Sequence, residues 1–400
     1  VCTAAAALPR YEAGRASIVV GSDTGAPFLA DHYGVSLAVL DDGRFAVSGT
    51  TTVAAPDPSQ QYPQFETAAY SPLGQRLATF VPQPPADMGS IGSLGKQYFV
   101  TWQHFVEGRT RAARLDGKGM QEGPSVGWPN SNVEFYYQYY RYGSGPLWRF
   151  VPITYRTDGI DPLFGTPILI PLIQPYAPTG VPLGPALRLA PDDERIFVHD
   201  SAMSGSGHFV VLFQHCAGGP SVPCPIGLQV FEGAGEPEGS FSSLGIPQFV
   251  AGDVTVAIQD TGQVLIAWVN LLANGQTRLL VRLFSFQGVP LSRPLSVVES
   301  RLILQEGLRA IDNGQYVVTW ANAEAVGLES FFAAVCESPS LSCSTPVTIA
   351  RHQQVASGFQ FEMNHSGRGL ATWATYDSAG TFTGHLATVN VGGEVAADGN

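Results

Sequence analysis

The chain has 400 residues, with 21 basic and 33 acidic side chains, for a formal charge of −12. Only 14% of residues are charged and 44% are hydrophobic, which excludes a disordered chain and leaves enough apolar matter for a large core. The 45 glycines and 30 prolines argue against long helices and for short strands joined by turns, and the acidic balance argues against nucleic-acid or anionic-membrane partners.

In chain order, residues 1–14 read as a tail. The chain begins at Val1 with no visible signal peptide, so an upstream segment is expected to have been removed. Cys2 is left open between a lipidated residue, an intermolecular bridge and a free thiol. A short apolar strand, RASIVVGS, follows at Arg15–Ser22. Then one pattern recurs: a strand, a turn closed by glycine, and a second strand ending in a large aromatic. It reads GQVLIAW at Gly262–Trp268, GQYVVTW at Gly314–Trp320 and GRGLATW at Gly367–Trp373. GKQYFVTW at Gly95–Trp102 carries one extra residue. Weaker copies begin at Gly43, Gly145 and Gly207. The seven glycines are spaced by 52, 50, 62, 55, 52 and 53 residues. Most follow Asp, Asn or Ser, dipeptides that supply the positive φ of a tight hairpin.

Each unit continues with a third strand, such as Thr277–Phe286, a Gly/Pro turn, and a fourth strand, LSVV. Four short antiparallel strands per roughly 50 residues resemble the blades of the seven-bladed β-propeller superfamily over nearly the whole chain. The resemblance implies a single all-β domain over 15–400, built of four-stranded antiparallel blades. The last repeat lacks a fourth strand, and Arg15–Ser22 can supply it, closing the ring without an open sheet edge. Trp102, Trp268, Trp320 and Trp373 then read as packing between blades.

Departures from the repeat are where function is expected. Thr51–Gln64 reads as a solvated loop. Trp128–Tyr142 carries Tyr136, Tyr137, Tyr139, Tyr140 and Tyr142, either a stacking platform or packing in an irregular blade. Asp161–Pro185 is long, apolar and Pro-rich, with Phe164, Ile168, Ile170, Leu172 and Tyr176. It is read as a protein-docking edge or as a cover over its own rim. Its charge-free core, Phe164–Leu187, holds six prolines, so it cannot cross a membrane as a helix. Cys216 with Cys224, and Cys336 with Cys343, each enclose a Gly/Pro/Ser-rich tip. Disulfides there would suit an extracytoplasmic protein.

No metal-clip, Ser-nucleophile, phosphate-loop or dinucleotide motif occurs, and no cofactor is expected. The eight histidines form no i, i+2 pair. Asp260-x-Gly262 and Asp312-x-Gly314 lack the features of the aspartate boxes of sialidase-like propellers, since Ile258 with Leu265, and Ala310 with Val317, fill the diagnostic slots. Carboxylates near the ends of innermost strands are Asp41, Glu134, Asp200, Glu306 and Glu362, and His199-Asp200 is a neighbouring pair. Asn364-His365-Ser366 fits a glycosylation pattern on a tight turn. These features lead first to an exported, non-catalytic scaffolding propeller, an accessory subunit that docks through 161–185. The alternatives are a carbohydrate-binding propeller, or a glycoside hydrolase or lyase using channel carboxylates.

Overall fold

The computed structural model describes residues 18–20, 33–54, 61–82, 86, 88–94, 96–104, 109–129, 139–143, 149–160, 167–173, 177, 181, 183–189, 195–216, 224–232, 235–239, 241–246, 254–311, 314–325, 327–376 and 382–392. Among them are 28 strands and no helix. β1 (Ile18–Val20) comes first. Five four-stranded antiparallel sheets follow in chain order. The first holds β2 (Tyr33–Val39), β3 (Phe45–Ala54), β4 (Gln61–Tyr70) and β5 (Arg76–Phe80). The second holds β6 (Met88–Leu94), β7 (Gln97–His104), β8 (Arg109–Leu115) and β9 (Gln121–Pro129). The third holds β10 (Tyr139–Gly143), β11 (Arg149–Ile160), β12 (Pro167–Ile173) and β13 (Leu187–Arg188). The fourth holds β14 (Arg195–Met203), β15 (Phe209–Cys216), β16 (Ile226–Phe231) and β17 (Ser242–Ile246). The fifth holds β18 (Thr255–Ile258), β19 (Gln263–Leu271), β20 (Thr277–Ser285) and β21 (Leu295–Ser300).

The remaining strands form one eight-stranded sheet. They are β22 (Ile303–Ile311), β23 (Gln315–Ala325), β24 (Leu328–Glu337), β25 (Ser342–Cys343), β26 (Val347–Met363), β27 (Arg368–Tyr376) and β28 (Phe382–Val391), with β1 at one edge. β1 pairs antiparallel with β28, Ile18 opposite Val391 and Val20 opposite Val389. The 17-residue β26 serves two neighbours: its first part pairs β24 and its second part pairs β27.

Burial follows position within a sheet. The second strand β19 is buried along Val264–Val269, because both faces are covered. β20 alternates, with Thr277, Leu279, Val281 and Leu283 inward, the period of two expected of a strand. The outer β21 has no fully buried residue. The buried side chains gather in clusters between sheets. Trp268 packs with Val210 and Leu228 of the fourth sheet, and Trp320 with Leu279 and Val281 of the fifth. Trp373 packs with Phe331 and Val335, and Trp102 with Ala46 and Phe65. Trp102, Trp268 and Trp320 thus fill the space between two sheets, while Trp373 packs against residues of its own eight-stranded sheet.

The tight turns have one recurring geometry. Leu40 N donates to Arg44 O at 2.8 Å and Gly43 N to Leu40 O at 2.9 Å. The same two bonds close the Gln259–Gln263 and Asn364–Arg368 turns. Gly43, Gly207, Gly262, Gly314 and Gly367 have φ between 79° and 92°, the left-handed region that a Cβ resists. Gly95 and Gly145 lie outside the described residues.

Candidate functional site

The first strand of each sheet presents an edge whose N–H and C=O groups have no strand partner on that side. These strands pack side by side: β2 against β6 and β26, β10 against β6 and β14, β18 against β14 and β22. Side chains from a neighbouring strand satisfy part of the edge. Ser36 Oγ accepts from Ile91 N at 3.1 Å, and buried Asp200 accepts from Val256 N at 3.0 Å through Oδ2 and from Ser201 N at 2.8 Å through Oδ1. The turns are tied in the same way. Gln259 Nε2 donates to Ile311 O and Gln315 O at 3.0 and 2.7 Å, and its Oε1 accepts from Gly314 N. Asn364 Nδ2 donates to Leu40 O at 2.8 Å, joining residues 324 apart in sequence.

All of these strands except β10 line a cavity of about 200 Å³. Its polar lining includes Ser36, Ser90, Ser93, Ser201, Gln360 and Asn364. Its charged and titratable lining is Asp41, Arg309, Glu362 and His365. Arg309 on β22 and Glu362 on β26 form a bidentate pair, Nε to Oε1 at 2.9 Å and Nη2 to Oε2 at 3.0 Å. Arg309 Nη1 also donates to Leu308 O and Nη2 to Phe361 O, while Glu362 Oε1 accepts from Met363 N. Both side chains stay about a quarter exposed. Burial pulls the Arg309 pKa down, but the Glu362 charge and hydrogen bonds, with the Asp200 charge, outweigh it and hold the guanidinium above its ordinary value.

A second cavity, of about 480 Å³, lies at the turn end of the strands and shares His365 with the first. Its polar groups already serve the fold: Gln259 is hydrogen-bonded through both amide atoms, and Asp260 Oδ1 accepts from Ser206 N. The smaller cavity is therefore the better ligand site. Among the described residues no cluster of three or more His, Cys, Asp or Glu side chains is arranged to hold a metal.

The expected site residues are dispersed. Tyr139, Tyr140 and Tyr142 lie on β10, where Tyr140 pairs Pro152 and Tyr142 pairs Phe150, and Tyr136 and Tyr137 fall outside the described residues. Ile168, Ile170 and Leu172 lie on β12, and Phe164 and Tyr176 are outside the described residues. Of the carboxylates, Asp41 and Glu362 reach the cavity. Asp200 is spent on backbone N–H groups, Glu306 lies on β22, and Glu134 is not described. His199 is the extra residue of a bulge between Val198 and Asp200, and its ring packs edge-on against Phe197 at 5.1 Å. Asn364 is a buried turn amide with both polar atoms hydrogen-bonded, so it is not a glycan acceptor. Cys336 and Cys343 form a disulfide, and Cys224 is disulfide-bonded as well. The side chain of Cys216 lies outside the described residues. No described helix is long and apolar enough to cross a membrane. Sequence reading passed over Arg309, although overlaying the repeats on their turn glycines finds it. Arg309 and Glu362 each stand five residues ahead of their glycines, Gly314 and Gly367.

No protein-family model matches the chain, and no curated protein matches it. It is similar to solved structures of low identity. One is a protein of unknown function from Dyadobacter fermentans, at 8% identity and a TM-score of 0.46, over 94% of this chain and 98% of that one. Another is an intramolecular trans-sialidase from leech, at 9% identity and 0.43, over 90% of this chain and 68% of that one. A third, with those same values, is the NanB sialidase of Streptococcus pneumoniae. These are likenesses of shape, and the cavity's own residues carry the function.

The non-catalytic scaffold reading is corrected. Its stated basis is cut back: Pro167–Ile173 forms β12, which pairs with β11 along its length and with β13 at Leu172 and Ile173, and Ile173 is fully buried. The apolar run is used in making its own sheet.

Proposed function

We propose that the chain is a seven-bladed propeller that binds carbohydrate in its central cavity. Seven blades result if the eight-stranded sheet counts as two that share β26. Support comes from Trp373 and Phe331, which sit on the two halves and pack together with their rings tilted by 52° and 5.6 Å between centroids. Pairing of β1 with β28 and the Asn364–Leu40 bond support closure of the ring through the chain ends. The Cys336–Cys343 disulfide supports an extracytoplasmic location.

The observation that carries the ligand reading is the Arg309–Glu362 pair facing a cavity otherwise rich in hydroxyl and amide groups. Sugars present hydroxyls that need both donors and acceptors, and serine, glutamine and a fixed ion pair offer both. At about 200 Å³ the cavity is smaller than the roughly 300–1,000 Å³ of drug-sized pockets, which suits a single sugar unit. The tyrosine-bearing β10 occupies a first-strand place between β6 and β14.

The test is a glycan array followed by calorimetry. The double variant Arg309→Met/Glu362→Leu replaces the pair by apolar groups of similar size, a change that is often neutral for stability. It should weaken sugar binding by at least about tenfold, some 1.4 kcal/mol, while the thermal midpoint stays within a few degrees. A folded double variant that binds sugar as the parent does removes this site. An array with no glycan bound removes the carbohydrate reading. Release of sugar from aryl glycosides, lost on Asp41→Asn, would add hydrolysis by the two cavity carboxylates.

A further inference from the structure

Resting on the carbohydrate reading, we infer that the cavity selects sugars without an acid group and excludes uronic- and sialic-type sugars. The reason lies in what its one guanidinium is already doing. Of the five N–H donors of Arg309, four are taken: two by the Glu362 carboxylate, one by Leu308 O and one by Phe361 O. Bidentate capture of a ligand carboxylate needs two parallel N–H groups from one guanidinium. Here Glu362 occupies the place such a ligand would take.

Charge balance points the same way. Asp41 and Glu362 set two carboxylates against the single guanidinium in the lining, and the buried Asp200 is close enough to act on Arg309. An arriving carboxylate would meet net negative charge in a partly enclosed space, where screening is weak. Hydroxyls meet the opposite situation. Ser36 and Ser93 line the cavity with hydroxyls, which can donate to or accept from a ligand hydroxyl. Ser90 and Gln360 add further neutral partners on the same lining.

The experiment compares the methyl glycosides of glucose and galactose with the matching glucuronate and galacturonate, together with N-acetylneuraminate. Binding to the intact protein is followed by calorimetry at low and high salt. Neutral sugars should bind at least about tenfold more tightly than their acids, and acid binding should strengthen as salt rises and repulsion is screened. Glu362→Gln should shift the acid-to-neutral ratio toward the acid by about tenfold or more, with folding checked by circular dichroism. Acids that bind the parent as tightly as neutral sugars, or that weaken with salt, overturn the inference and leave the carbohydrate reading standing. So does an unchanged ratio in a folded Glu362→Gln. Should that variant not fold, the salt series on the parent decides. A panel in which nothing binds overturns both.

Discussion

The strands around the cavity meet one problem with two chemistries. Five residues ahead of the turn glycine, β2, β14 and β18 carry Ala38, Ala202 and Ala257, while β22 and β26 carry Arg309 and Glu362. On the alanine side, the links between neighbours run from a side chain to the backbone: Ser36 to Ile91 N, Asp200 to Val256 N. The Asp200 carboxylate is buried in the wall, while Ser36 still lines the cavity. On the charged side the link runs chiefly between two side chains, which stay about a quarter exposed to the cavity. The alanine side thus offers a ligand neutral groups such as Ser36, and the charged side offers a fixed ion pair.

The comparison breaks most visibly at the tryptophans. Trp320 is 1% exposed and packs between the fifth sheet and β23–β24. Trp320→Ala should cost about 3–5 kcal/mol in chemical denaturation, and should weaken sugar binding only as far as it unfolds the protein. A folded Trp320→Ala that has lost sugar binding would mean that the indole belongs to the site and not to the wall.

Next in size are the stitches of the alanine wall. Asp200→Ala leaves Val256 N and Ser201 N without their acceptor, at about 1–3 kcal/mol for each buried group left unpaired. Ser36→Ala strands only Ile91 N, so its cost should be about half as large. Denaturation midpoints of the two variants check the order. Equal losses would mean that the carboxylate and the hydroxyl do the same work, and that the second N–H on Asp200 adds nothing.

Much of the wall was legible in the sequence. Five turn glycines found by repetition have positive φ, four of them in the Asp-Gly, Asn-Gly and Ser-Gly contexts that predict it and Gly262 after Thr261. The four repeated tryptophans are buried, three of them between sheets, and the N-terminal apolar segment pairs at the end of the last sheet. The site was far less legible. Arg309 within LRAI and Glu362 within FQFEM look like ordinary half-exposed strand residues, and their meaning appears only when both are placed on neighbouring inner strands. The apolar Asp161–Pro185 run was legible as a departure from the repeat but not as a strand. A paired strand and an unpaired apolar loop have the same composition, and only the pairing of Pro167–Ile173 with β11 separates them. The continuous β26 was equally hidden, since no glycine or proline marks where it passes from β24 to β27.

That passage yields the smallest prediction, and it bears on how the charged wall is held. Opposite Ser330, β26 inserts two residues, Arg351 and His352, between the pairs Phe331–Ala350 and Glu329–Gln353. His352 takes the left-handed conformation at φ 53°, and its N–H donates to Ser330 Oγ at 3.0 Å. Ser330 Oγ in turn donates to Glu324 Oε1 at 2.7 Å, and Glu324 Oε2 lies 2.5 Å from His352 Nδ1. The Ser330 hydrogen bond first, and then the His352 charge and hydrogen bond with Arg351 beyond, hold the Glu324 carboxyl below its ordinary range despite some desolvation. A carboxyl whose pKa is lower in the folded than in the unfolded chain stabilises the fold above its unfolded value. That contribution is lost as pH falls through the folded one. Stability should therefore drop more steeply between about pH 5 and 3 in the parent than in Glu324→Gln, which keeps an acceptor for Ser330 but has no charge to titrate. Because β26 carries Glu362 ten residues beyond His352, a clamp that matters should also show in the ligand. The acid-to-neutral sugar ratio of Glu324→Gln should move toward that of Glu362→Gln as the strand loses its fixed bend. Parallel stability profiles with an unchanged ratio would confine the clamp to its own bulge and leave Arg309 alone to position Glu362.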